Sequence, residues 1–363
     1  MWPYALLIMI PIIVRHVRVG ESVLYLTKQS KTKDENVLKL FWGMLLALLM
    51  LRHEVIGSDT QNYNRIFRIY AQSSWRQTIN RSAEIAYSIL NKLVSLCTDN
   101  FRWILAICAV LGVYAISKAY VKYSKDAVLT IALFITTSNF VMLFSGLRQG
   151  IAISLGFVAF EFVRQKKLVP FLLVVYAAML FHTSAFMLLF MYPLYHLKIT
   201  RPWLLVVVPL MGLLFIFNAP VFSYLTAIMS RFTEYEAEIS STGAYTMLIL
   251  YGMLAIFSYI IPDEQKMRQD PDAMGFRNFL LFSVALQMFA PLHTLAMRMN
   301  YYYMAFIPLA LPKVIGCTSR RWRQVAAAAR YIMVAFFVFY FFWSVPSDNP
   351  LNIYPYHFFW EMV

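Results

Sequence analysis

The chain has 363 residues, of which 60% are hydrophobic and only 14% charged, against about 45–50% and about 25% in an ordinary soluble domain. A soluble fold of this size cannot hide so much apolar surface, and the 17% aromatic content excludes disorder. Three cysteines, Cys97, Cys108 and Cys317, exclude a disulfide framework, and the net charge of +14 must be read by position before it implies a partner. What remains is an all-α, polytopic integral membrane protein forming a single transmembrane domain over 1–363.

About twelve apolar segments are predicted, at roughly 1–14, 37–51, 101–117, 127–144, 149–163, 168–181, 183–195, 203–218, 244–261, 278–291, 299–312 and 325–344. The first has no basic region before it and no small-residue cleavage site, so it reads as a span and not as a cleavable signal peptide. Basic residues gather after alternate segments: Arg15 to Lys39, Lys118 to Lys125, Arg164 to Lys167, Lys198 with Arg201, Lys266 to Arg277, and Lys313 to Arg330. Placing these groups in the cytoplasm puts both termini outside, and topology then accounts for most of the positive charge without nucleic acid. The cations left on the outer side are Arg52, Arg65, Arg68, Arg76, Arg81, Lys92, Arg102, Arg148, Arg231 and Arg298. All but one are arginine, the residue whose planar fork binds phosphate bidentately.

Three turns fall at an unusual depth. Only 28 residues separate Lys167 from His196, whereas two full spans need about 40. One long span would invert every downstream basic cluster, so the spacing predicts a short hairpin with His182 at its tip. Arg148 lies 16 residues before Arg164, and Arg298 lies 15 before Lys313. At about 1.5 Å per residue these tips stand roughly 21–24 Å above the inner edge, inside a hydrocarbon layer about 30 Å thick. Turns and ionisable groups at that depth require a water-filled cavity. The expectation is an outward-facing cavity lined by Arg148, His182 and Arg298.

The longest outer loop, 52–100, opens with Arg52 and runs through Gly57, Ser58 and Asp59, where Asp59 or Thr60 would cap a helix. Residues 83–96 alternate at helical spacing and predict a helix in the membrane interface. A second outer loop covers 219–243, and an aromatic tail over 345–363 suits the interfacial belt. No metal site is expected: the six histidines are scattered. Asp270-Pro271-Asp272 falls in a cytoplasmic loop and reads as solvated. No phosphate-cradling or dinucleotide-binding glycine pattern calls for a cofactor.

These segments together resemble the EpsG/Wzy-type bacterial polysaccharide polymerases. The resemblance rests on Arg52 to Tyr63 (R-x4-G-x-D-T-x-N-Y), Leu147-Arg148-Gln149-Gly150-Ile151-Ala152, Phe181-His182-Thr183-Ser184-Ala185, Arg231 to Tyr235, Arg298-Met299-Asn300-Tyr301-Tyr302 and Pro355-Tyr356. It implies a glycosyltransferase of the bacterial inner membrane whose site faces the periplasm or cell exterior. Its substrate would be an oligosaccharide repeat unit on undecaprenyl diphosphate, and a chain-length regulator protein is the further partner implied. A sugar hydroxyl would attack an anomeric carbon and release the lipid diphosphate. Arg148 and Arg298 would hold that leaving group, with Arg52 or Arg65 as a third cation. His182 is the favoured base and Asp59 the runner-up. Tyr63, Gln149, Arg231, Glu234, Tyr235, Asn300 and Tyr302 are the remaining substrate-binding candidates. An O-antigen ligase, a transferase using a lipid-phosphate sugar, or a transporter of the same lipid would carry similar outer arginines.

Overall fold

The computed structural model describes residues 1–16, 26–228 and 241–362, and among these it contains helices and no β-strand. In chain order the helices are α1 (Trp2–His16), α2 (Leu26–Leu51), α3 (Thr60–Gln72), α4 (Trp75–Asn80), α5 (Ile85–Ser95), α6 (Arg102–Tyr123), α7 (Ala127–Thr136), α8 (Ser138–Ser145), α9 (Leu147–Arg164) and α10 (Leu168–Phe181). A 3₁₀ stretch, Thr183–Phe190, leads to α11 (Met191–His196), α12 (Leu204–Ile216), α13 (Asn218–Ile228), α14 (Ser241–Ile260), α15 (Glu264–Gln269), α16 (Pro271–Gln287), α17 (Thr294–Met304), α18 (Ile307–Gly316) and α19 (Arg323–Asp348). Short polar caps set several starts. Asp126, Asp263 and Asp270 each accept a backbone N–H in the first turn of α7, α15 and α16, and Ser74 with Gln77 closes a capping box on α4.

Among the described residues, three helices are long and apolar enough to cross a membrane: Arg102–Tyr123, Gly243–Ile260 and Arg320–Asp348. Counting two bent pairs as single spans brings the total to five. These are α7 with α8, bent by 62°, and Arg201–Ile216 with Asn218–Tyr224, bent by 77°. The other apolar segments read from the sequence fall on shorter or more polar helices, such as α1 and α10.

The chain forms two compact units. The first comprises Met1–Leu189 and Tyr331–Val363. Within it α7 is buried along nearly its whole length, as expected of a helix that is apolar all round. Helices α6 and α9 meet at Gly112 and Gly150, where a Cβ on Gly112 would stand 3.5 Å from the Gly150 carbonyl carbon. In the G-x-x-x-G of residues 146–150 the turn therefore lies at Gly146, the N-cap of α9, while Gly150 packs against α6.

The aromatic tail, expected in the interfacial belt, packs into this unit. Phe359 N donates to Leu51 O, His53 N to His357 O, Gly57 N to Asn352 O and Ser58 N to Leu351 O. Ile353 and Tyr356 are buried, and their anchors are the Tyr4 hydroxyl on Ile353 O (2.6 Å) and the Tyr356 hydroxyl on Leu48 O (2.7 Å). Of the last aromatics Trp360 keeps its side chain outside.

The second unit, Phe190–Arg330, carries a correction. Asp270-Pro271-Asp272 is not a solvated loop but the start of α16, with Pro271 at the first helical position. Lys313, almost fully buried, lies 3.3 Å from Asp270 and 3.4 Å from Asp272, and the Tyr195 hydroxyl donates to Asp272 at 2.7 Å. A buried ammonium needs such carboxylates. Buried Arg277 is served likewise by Glu264 at 2.7 Å and Ile199 O at 2.8 Å.

Candidate functional site

A hydrophobic cluster in the first unit brings the loop 52–100 onto the apolar helices. Tyr63 and Phe67 of α3, Tyr87 of α5, Phe101, Ile104, Leu105 and Cys108 around α6, and Leu147 and Ile151 of α9 share it, with Phe181 of α10 at its margin. Ser88 and Lys92 on α5 also bind α3, through the Tyr70 hydroxyl at 2.8 Å and Ala71 O at 3.1 Å. The polar face of α5 thus turns inward, while Leu93 and Leu96 face outward.

Three helix ends converge there. Glu84 is the N-cap of α5, Arg148 sits in the first turn of α9, and His182 is the C-cap of α10 with extended backbone. One Glu84 oxygen, Oε2, pairs with Arg148 Nη1. The other, Oε1, lies 2.6 Å from His182 Nδ1, 3.2 Å from Thr183 N and 3.4 Å from Thr183 Oγ1. Arg148 Nε reaches the Tyr63 hydroxyl at 3.4 Å, and its guanidinium carbon lies 5.4 and 5.8 Å from the Tyr63 and Tyr87 ring centres. The side chains keep only 24% (Arg148), 13% (His182) and 10% (Glu84) of their exposure.

Protonation follows from these contacts. Burial pushes the Glu84 carboxyl up, but the His182 hydrogen bond, the Arg148 charge and the Thr183 N–H outweigh it and hold the group below its usual range. With Glu84 ionised and accepting from Nδ1–H, the neutral form of the His182 ring carries its lone pair on Nε2. Burial raises the Tyr63 hydroxyl, opposed by Arg148 and reinforced by Asp59 and Glu84, so it stays protonated. The group can therefore take a proton at Nε2 and hold the resulting imidazolium against a carboxylate.

The structure unites Arg148, His182 and Tyr63 and adds Glu84, which the sequence reading passed over. A visible signal existed: Glu84 is one of few acids in the outer loop and stands directly before an apolar helix, where an N-cap belongs. Asp59 occupies the N-cap of α3, yet its side chain makes no capping bond; its backbone N–H donates to Ser145 Oγ at 3.2 Å. Thr60 does not cap either, since its hydroxyl donates to Ile56 O at 2.7 Å. Arg65 is exposed and bonded to Asn62 at 3.0 Å.

Arg52 is buried elsewhere in the unit, with Nη1 on Leu143 O at 3.3 Å and its guanidinium carbon 5.8 Å from the Phe144 ring centre. It lines a cavity of about 10 Å³ beside Leu105, Cys108 and Gly112, roughly the room one water needs. Gln149 is fully buried on α9.

In the second unit Arg298 is half-buried inside α17. It is not a hairpin tip: the break lies at Met288–His293, where Pro291 interrupts and His293 caps α17 by accepting from Leu295 N at 3.0 Å. Asn300 is fully buried, donating to Gln287 Oε1 (2.9 Å) and accepting from Ser283 Oγ (2.8 Å), and Tyr302 is buried as well. Arg231, Glu234 and Tyr235 lie outside the described residues. Among the described residues no cluster of His, Cys, Asp and Glu could hold a metal ion.

No curated protein and no solved structure matches the chain. The profile of the EpsG family matches residues 37–358, a stretch that contains Glu84, Arg148, His182 and Arg298. The chain belongs to the EpsG family, membrane proteins of polysaccharide biosynthesis.

Proposed function

We propose that the protein is a metal-independent polysaccharide polymerase acting on oligosaccharide repeat units carried by undecaprenyl diphosphate at the outer face of the inner membrane. The observation that carries this reading is the carboxylate of Glu84 shared between Arg148 and His182. His182 Nε2 takes the proton from a sugar hydroxyl of one unit as that oxygen attacks the anomeric carbon of another. The bond from that carbon to the diphosphate oxygen breaks, and undecaprenyl diphosphate leaves. Arg148, its guanidinium still partly open, stabilises the charge that grows on the leaving group. Apolar residues facing outward on α5 suit a loop resting on lipid, which is where a polyprenyl carrier presents its diphosphate. In this reading the shorter apolar helices complete the set of about twelve membrane segments, and their breaks open the outward cavity.

The test uses purified protein in proteoliposomes with one lipid-linked repeat unit and no nucleotide sugar. A ladder of products that disappears in His182→Ala and Arg148→Ala supports the polymerase. Near-normal laddering by folded His182→Ala would reject His182 as the base. Lipid moved between leaflets without any new bond would make the protein a transporter.

A further inference from the structure

On the first unit, away from the Glu84 group, α2 and α6 pack antiparallel. Trp42 lies beside Tyr120, with ring centres 5.2 Å apart, while Leu49 and Arg52 lie near Leu105 and Cys108. A groove of about 420 Å³ runs between them. Its walls change character along its length. One end is apolar, with Leu46 opposite Val110 and Val113. The other end carries Lys39, Lys118 and Lys122, with Glu35 on the same rim. Lys122 is engaged by Glu161 at 2.8 Å, whereas Lys118 donates only to the Tyr114 hydroxyl one turn back on its own helix, and both Lys118 and Lys39 are exposed. Trp42 forms part of the wall and is 97% buried, and its indole N–H has no hydrogen-bond partner. From Val110 to Lys122 the groove follows about 18 Å of helix at 1.5 Å per residue, close to one leaflet of a hydrocarbon layer about 30 Å thick.

We infer that this groove is a binding site for an anionic phospholipid of the surrounding bilayer, with one acyl chain along the apolar end and the phosphodiester between Lys39 and Lys118. Charge complementarity favours that occupant. The lysines stand where an apolar trough ends, as a head group stands at the end of its chain. A polybasic rim between membrane helices attracts anionic head groups, while a zwitterionic lipid gains little from it. Gly43 makes the trough: a Cβ there would meet nothing within 4 Å, so the space beside it is open. This site would hold a structural lipid independently of the polymerase reading, because none of its residues belongs to the Glu84 group.

The test uses the full chain, purified in detergent and delipidated. Phosphatidylglycerol is added back, with phosphatidylcholine and inorganic phosphate as separate probes. Bound lipid is counted by native mass spectrometry, and the melting temperature is followed in parallel. The double variant Lys39→Gln/Lys118→Gln removes the cations, and Gly43→Leu fills the trough without touching charge. Wild type should retain phosphatidylglycerol and gain several degrees in melting temperature from it, and gain little from phosphatidylcholine. Both variants should melt like wild type in detergent but lose the retention and the gain. Equal retention in the variants, an equal gain from phosphatidylcholine, or the full gain from inorganic phosphate would overturn the proposal.

Discussion

Replacing Glu84 by glutamine tests the centre of the site. The variant keeps the shape of the side chain, and its carbonyl oxygen can still accept from His182 Nδ1 and Thr183 N. What it loses is the charge opposite Arg148 and opposite the imidazolium that forms during transfer. For stability, removing one member of a fully buried ion pair costs about 3–5 kcal/mol. Because Arg148 keeps 24% of its side-chain exposure, solvent screens part of this, and about 2 kcal/mol is expected here. For catalysis, positioned acid–base assistance contributes about 10²–10⁴ in rate, so losing the charge behind His182 should cost about 10² in kcat with KM little changed. The assay is the initial rate of ladder formation in proteoliposomes, beside a melting curve. Acid distinguishes the two enzymes further. Glu84 is depressed in the folded protein, so the stability it contributes is complete above the unfolded value of about 4.3 and is lost as pH falls through the lower folded value. The melting temperatures of wild type and Glu84→Gln should therefore converge below about pH 4. A rate within about threefold of wild type, or about 0.65 kcal/mol in the barrier, would refute the argument that the carboxylate supports His182.

Two further substitutions probe the frame. Gly57 has φ of +93°, and a Cβ there would strike the Phe144 carbonyl and sit 2.7 Å from Thr60 Oγ1. Gly57→Ala should cost about 2–4 kcal/mol through backbone strain and that clash, read as a lower melting temperature; an unchanged melting curve would contradict it. Asn300→Ala strands Gln287 Oε1 and Ser283 Oγ in a buried site, at about 1–3 kcal/mol for each group left unsatisfied. Its melting temperature should fall while the rate per folded enzyme holds. A raised KM with normal melting would mean instead that Asn300 binds substrate.

What the sequence made legible was fixed by composition and by local turn chemistry. The helical membrane class followed from apolar content; of the three tips read from the spacing, a break falls at His182, another at Gly146 two residues before Arg148, and none at Arg298. Arg148 and His182 were legible because an ionisable residue at such a break is costly in hydrocarbon. Glu84 was legible only as a candidate N-cap, because an acid in a water-exposed loop carries no comparable cost, and its partners lie 64 and 98 residues away. The ladder between the tail and residues 51–58 was equally hidden. Aromatic residues suit an interfacial belt and a packed core alike, and only the long-range backbone bonds distinguish them. Arg52 shows the converse. It reads as an outer loop cation, yet the tail covers it and buries it against Phe144.

The convergence of helix ends explains why the group needs all three side chains. The N-terminus of a helix carries about half a positive charge, and its C-terminus about half a negative one. Arg148 in the first turn of α9 stands at the unfavourable end for a cation, in a setting that is mostly desolvated. Glu84, at the N-cap of α5, is an anion at the favourable end and supplies the counter-charge. His182 closes α10, and its ring faces the Glu84 carboxylate, which would balance an imidazolium formed in the proposed transfer. Two positive helix ends and one guanidinium, set against one carboxylate and the negative end of α10, leave the group about half a charge positive before any proton moves. In the proposed reaction that excess meets the arriving diphosphate, and the protonation of His182 adds to it as the leaving group gains charge. Removing Arg148 would thus weaken the hold on the diphosphate, whereas removing Glu84 would leave that hold and slow the proton transfer.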